Sequence, residues 1–75
     1  MTLSNIPLDK IPKGATHYAH ESGDFLSSWY KFENGEWAGV NTYNADRVDK
    51  DGNVGWYYYG KFLNRPITDL IEIVQ

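Results

Sequence analysis

Asn34-Gly35 lies between two runs of strand-forming residues, Phe25 to Glu33 and Glu36 to Val40. No other feature restricts the fold of this chain as much. A two-residue link between antiparallel strands favours a type I′ turn, whose two central residues both need positive φ, and Asn-Gly is the pair that best supplies it. The turn sets the register: Phe32 faces Trp37, Lys31 faces Ala38 and Trp29 faces Val40. Phe32, Trp37 and Tyr30 then share one face, a cross-strand aromatic cluster of the kind that stabilises sheets. Glu33 falls opposite Glu36 beside the turn and reads as an exposed, solubilising pair.

The rest of the chain is read around this hairpin. Residues 1–14 form an extended arm, because Pro7 and Pro12 bias the residues before them away from helix; Ile6, Leu8 and Ile11 give it an apolar side. Ala15 to His20 is a first strand, and Glu21 to Asp24 a turn. Thr42 to Asp49 reads two ways, as a third strand leading into a hairpin at Asp51-Gly52 or as one helical turn over Asn44 to Arg47. Val54 to Leu63 predicts a strong strand with rings on both sides. Trp56, Tyr58 and Phe62 are assigned to one face and Tyr57, Tyr59 and Leu63 to the other, as in a central strand covered on both sides or one with a binding face. Leu70 to Val74 predicts a short last strand, unless Thr68-Asp69 caps a helical turn. The expected fold is mainly β: one domain with a single small antiparallel sheet of four to five strands, curled as an SH3-like or OB-like half-barrel, with room for one short helical turn.

Seventy-five residues make one domain with a thin core. There is no cysteine, so disulfides, thiolate metal sites and a cysteine nucleophile are all excluded. The 16% aromatic content supplies the large side chains such a chain needs, unless it dimerises. Ten acidic against seven basic residues give a net charge of −3. That argues against a general phosphate-backbone binder, which needs clustered cations. Met1 to Lys10 has no basic start or apolar run, and no segment approaches a membrane span, so a soluble cytoplasmic protein is expected.

Reactive constellations are sparse. His17 and His20 with Glu21 lack a third nitrogen ligand and alternate across a strand, so no metal is expected. Asp49-Lys50-Asp51-Gly52-Asn53 fails as a calcium loop: Val54 stands where the loop glycine belongs and Gly60 where a bidentate Glu belongs. Ser22, Ser27 and Ser28 near His20 lack a strand–elbow–helix context. The glycines form no phosphate loop. The chain therefore reads as a non-enzymatic protein without a cofactor, and its aromatic rings are the candidate functional surface.

Pro12-x-Gly14-Ala15-Thr16-His17-Tyr18, then Trp29-Tyr30-Lys31, then Gly35-x-Trp37 resembles a pattern in small uncharacterised accessory proteins of tailed bacteriophages. The resemblance covers residues 11–40. It implies a protein made in the cytoplasm of an infected bacterium, one that binds and inhibits a host or anti-phage defence protein. No catalytic residue comes with it. On this reading the partner meets a mixed acidic and aromatic surface of Glu33, Glu36, Trp37, Asp46, Asp49, Asp51 and Tyr57, the carboxylates steering and the rings being buried on contact. A second reading is a nucleic-acid or nucleotide-binding module that stacks bases on Trp56, Tyr57 and Tyr59 beside Lys61. A third is a minor virion or assembly component. Both monomer and homodimer fit.

Overall fold

The computed structural model describes residues 6–47, 49–51 and 53–73. The chain forms one five-stranded antiparallel sheet: β1 His17–Ala19, β2 Ser28–Glu33, β3 Glu36–Asn41, β4 Tyr57–Gly60 and β5 Ile71–Glu72, in the order β4-β3-β2-β1-β5. The sheet stays open, with β4 and β5 at its two edges. A four-residue helix, α1 Thr42–Ala45, and single 3-10 turns at Leu8–Lys10 and Ile67–Asp69 complete the fold.

The β2–β3 hairpin has the register expected from its turn, with Phe32 opposite Trp37, Lys31 opposite Ala38 and Trp29 opposite Val40. Asn34 and Gly35 have φ of 57° and 78°, as a type I′ turn requires. The first strand is shorter than expected because the P-x-G-A segment is spent on a β-turn, closed by Ala15 N donating to Pro12 O at 3.1 Å. Thr16 then bonds on both sides, its N–H to Tyr30 O and its O accepting from Ile73 N. Phe25 does not open β2: it is bridged to Ser22 in a separate tight turn, and β2 begins at Ser28. Of the two readings of Thr42 to Asp49, the helical one is found, two residues earlier than expected. Asn41 caps it by accepting from Asn44 N at 2.8 Å, satisfying a donor that the first helical turn leaves free.

Strand pairing sorts side chains onto two faces. One face carries Tyr18, Trp29 and Val40, packed with Ile6, Ala15 and Ala45; Ile11, Val54, Trp56, Ile71 and Ile73 lie against them. The other carries Ala19, Tyr30 and Trp37, covered by Tyr59, Leu63 and Leu70. Trp29, 1% exposed, stacks edge-on against Tyr18 at 4.8 Å. The N-terminal arm thus packs across the first face as expected, although it contains a 3-10 turn at Leu8–Lys10 where an extended segment was expected.

The last third departs furthest from expectation. The Tyr57–Gly60 strand lies at the edge of the sheet and stops at Gly60. It is not a central strand running to Leu63, and Phe62 is 85% exposed. The C-terminal segment forms the expected short strand, β5; Thr68 and Asp69 cap no helical turn in its place but lie inside a 3-10 turn, Ile67–Asp69, that precedes it. Gly52 and Val74, used in those expectations, lie outside the described residues. Arg65 is 5% exposed. Its guanidinium donates to His20 O at 3.0 Å and Leu26 O at 3.3 Å, meets Asp69 at 3.5 Å and lies over the Phe25 ring. It pins the 61–70 segment over the second face.

Candidate functional site

The edge strand β4 concentrates the accessible rings. Tyr57 and Tyr58 are each 65% exposed and stand on opposite faces of the strand. β4 pairs with β3 on one side, Tyr57 opposite Gly39 and Tyr58 opposite Ala38; the pairing then skips Tyr59 so that Gly60 meets Trp37. Such a bulge locally increases strand twist. Among the described residues no strand pairs with the outer side of β4. It therefore offers both backbone hydrogen-bonding groups and large amphipathic rings.

On the second face the rings form a chain: Tyr57 lies 4.8 Å from Tyr59, and Tyr59 lies 6.5 Å from the buried Tyr30. The Tyr59 hydroxyl is held above the ordinary value of 10.0, first by burial and then by Tyr30 and Tyr57. Tyr30 donates to Asn64 Oδ1 at 3.2 Å, tying the cluster to the C-terminal segment. On the first face the Lys31 ammonium sits 5.2 Å from the Trp56 ring centre and 5.4 Å from that of Tyr58, with Glu33 Oε1 3.8 Å away.

The residues singled out in the sequence do not assemble into one surface. Glu33 and Glu36 are exposed at the hairpin tip, on the Trp29 face. Trp37 points to the opposite face and is 7% exposed, packed between His17 at 5.1 Å and Phe32 at 4.6 Å. Asp46 follows α1, past the far end of β3 from Glu36, a span of about 17 Å along that strand. Asp49 organises the turn after it, accepting from Asp51 N and Asn53 N at 2.9 Å each. Asp51 is exposed in that turn and Tyr57 at the sheet edge. The stacking platform divides as well. Tyr57 and Tyr59 share a face, whereas Trp56 packs on the other with Lys31, so Trp56, Tyr57 and Tyr59 cannot stack a common strand of bases. Lys61 is exposed just past β4.

Two residues at this site were not selected from sequence: Tyr58 and Lys31. Strand alternation already placed Tyr58 with Trp56. The meeting of those rings with Lys31 depends on β4 pairing with β3, which no local signal specifies. His17 and His20 do lie on different faces, the first against Trp37 and the second against Tyr18. Among the described residues no three His, Asp or Glu side chains gather in a metal-binding arrangement, and no helix is long and apolar enough to cross a membrane.

No protein-family model matches the chain, and neither does any curated protein or solved structure. Fold and edge together define a class: a small, mainly β protein with one open five-stranded antiparallel sheet and an aromatic edge strand.

Proposed function

We propose that this is a phage-encoded, non-enzymatic binding protein that docks on a host or anti-phage defence protein through the β4 edge and inhibits it in the cytoplasm of the infected bacterium. The observation that carries the reading is the outer side of β4, unpaired among the described residues and flanked by Tyr57 and Tyr58 at 65% exposure. Natural proteins usually blunt such an edge with Lys, Pro or a covering segment. A partner segment added there gains backbone hydrogen bonds, and its side chains meet the two tyrosines. Tyrosine is a preferred anchor in protein interfaces because it buries much area with few rotatable bonds. The dispersed carboxylates Glu33, Glu36, Asp46 and Asp51 then act at long range, as part of the net −3 field that steers association. The phage setting rests on the P-x-G-A-T-H-Y, W-Y-K and G-x-W resemblance. In this fold those motifs build the core and turns, and the edge strand lies outside them.

The test is affinity capture from bacterial lysate with wild-type protein and with Tyr57→Ser/Tyr58→Ser. Wild type should enrich a defined protein that the double variant loses while still melting cooperatively. Equal capture by both proteins, or nothing above background at low and moderate salt, would sink the edge-docking reading.

A further inference from the structure

A groove of ≈ 590 Å³ opens on the Trp29 face beside β4, bordered by Lys13, Lys31, Glu33, Trp56 and Tyr58. Its volume lies within the roughly 300–1,000 Å³ of small-molecule sites. In a chain of net charge −3, two lysines and one carboxylate share this groove with two aromatic rings. Lys31 is not a loose surface cation: its side chain is 17% exposed, and its ammonium is held over both Trp56 and Tyr58. Glu33 meets it from the solvent side at 3.8 Å, through a side chain 68% exposed.

We infer that this groove binds a nucleoside phosphate as the free mononucleotide. Its phosphate is received by Lys31 and Lys13, and its base stacks on the exposed ring of Tyr58 beside Trp56. The lysines select an anion and the rings select a flat π-system; a nucleoside phosphate carries both within one small molecule. A simple inorganic anion leaves the rings unused, and an uncharged aromatic leaves the lysines unused. A long single strand needs cations repeated along its path. The groove offers two, on an otherwise acidic protein, so one nucleotide is the matching length. Glu33 competes with the phosphate for Lys31 and acts as a brake on binding. The site shares Tyr58 with the docking edge, but its mononucleotide assay needs no partner protein, so either reading can fail without the other.

Tryptophan fluorescence of the intact protein provides the assay. Trp29 and Trp37 are 1% and 7% exposed, which leaves half-buried Trp56 as the reporter at the groove. GMP and UMP at low salt should each quench it saturably. Lys31→Met should weaken binding about fivefold and Glu33→Gln strengthen it by a similar factor, the scale of one partly exposed ion pair. Lys13→Ala, at an exposed residue, repeats the test without touching the ring cluster, and amide NMR shifts at Gly14 and Lys31 give a second readout. Inorganic phosphate and an oligothymidylate run as separate arms. The inference is overturned by no saturable response to either mononucleotide by fluorescence or NMR. It is equally overturned by unchanged affinity in Lys31→Met and Lys13→Ala, by inorganic phosphate binding as tightly as GMP, or by the oligonucleotide binding more tightly per site than the mononucleotides.

Discussion

Replacing Gly39 with alanine adds one methyl group where Tyr30 and Tyr59 close over β3. A Cβ at this position would stand 2.6 Å from Tyr30 Cε1, 2.7 Å from Tyr30 Cδ1 and 3.1 Å from Tyr59 Cε2. Carbon atoms in contact prefer about 3.5–4.0 Å, so the Tyr30 ring must move by about an ångström. It has little freedom to do so. Tyr30 is 2% exposed and its hydroxyl is bonded to Asn64. The backbone at Gly39 is not in the left-handed region, so alanine by itself would rigidify the unfolded chain and stabilise by about 0.4–1 kcal/mol. Overpacking a rigid core costs about 1–3 kcal/mol and prevails here, because the obstacle is a ring fixed at both ends rather than a flexible chain tip. The expected net loss is about 1–2 kcal/mol, or a fall in Tm of roughly 5–15 °C for a domain of this size. Urea and thermal unfolding of Gly39→Ala measure it directly. Tyr30→Leu, made alone and combined with Gly39→Ala, completes a double-mutant cycle that should return a coupling above about 0.5 kcal/mol. A neutral or stabilising Gly39→Ala, or additive effects in the cycle, would refute the claim that Tyr30 excludes a side chain at position 39.

Two further outcomes follow from buried polar groups. Arg65→Lys keeps the charge but loses the planar fork that serves His20 O, Leu26 O and Asp69 together. Leu26 O keeps its bond from Ser28 Oγ, so the loss of the fork's remaining bonds should cost about 1–3 kcal/mol in urea unfolding, and a loss below about 0.5 kcal/mol would rule out a pinning role for this side chain. His17 is held below its ordinary 6.5 because burial disfavours the imidazolium, a shift that the Glu72 carboxylate opposes. The unfolded chain therefore takes up this proton first on acidification, and stability falls as pH drops through 6.5 toward the lower folded value. The decline between pH 7.5 and 5.5 should be shallower in His17→Gln, whereas parallel profiles would disprove it.

The register of the β2–β3 hairpin was legible to the residue, although the start of β2 was not. The turn type depends on the φ preferences of two adjacent residues, and the pairing then follows by counting outward. The ring assignments on β4 were legible for the same reason, because alternation is a local property of extended backbone. Tyr57 and Tyr59 do share one face, and Trp56 and Tyr58 the other. The position of that strand was not legible. Trp56 to Tyr59 is as aromatic as a covered central strand, and nothing local distinguishes a strand paired on both sides from one paired on one side. Trp37 carried the same ambiguity: a ring suited to an interface is equally suited to a core, and here His17 and Phe32 bury it.

Arg65 shows the limit from the polar side. Its partners His20 and Leu26 lie 45 and 39 residues earlier in the chain. By itself the sequence determined the hairpin, the alternation of its faces and the mainly β character, because turn chemistry and period-two patterning act over a few bonds. Tertiary structure alone decided which rings became core, which strand became the edge, and that Lys13 and Lys31 meet Trp56 and Tyr58 in one groove. Those outcomes depend on long-range strand pairing and burial, where residues distant in sequence compete for the same two faces of a small sheet.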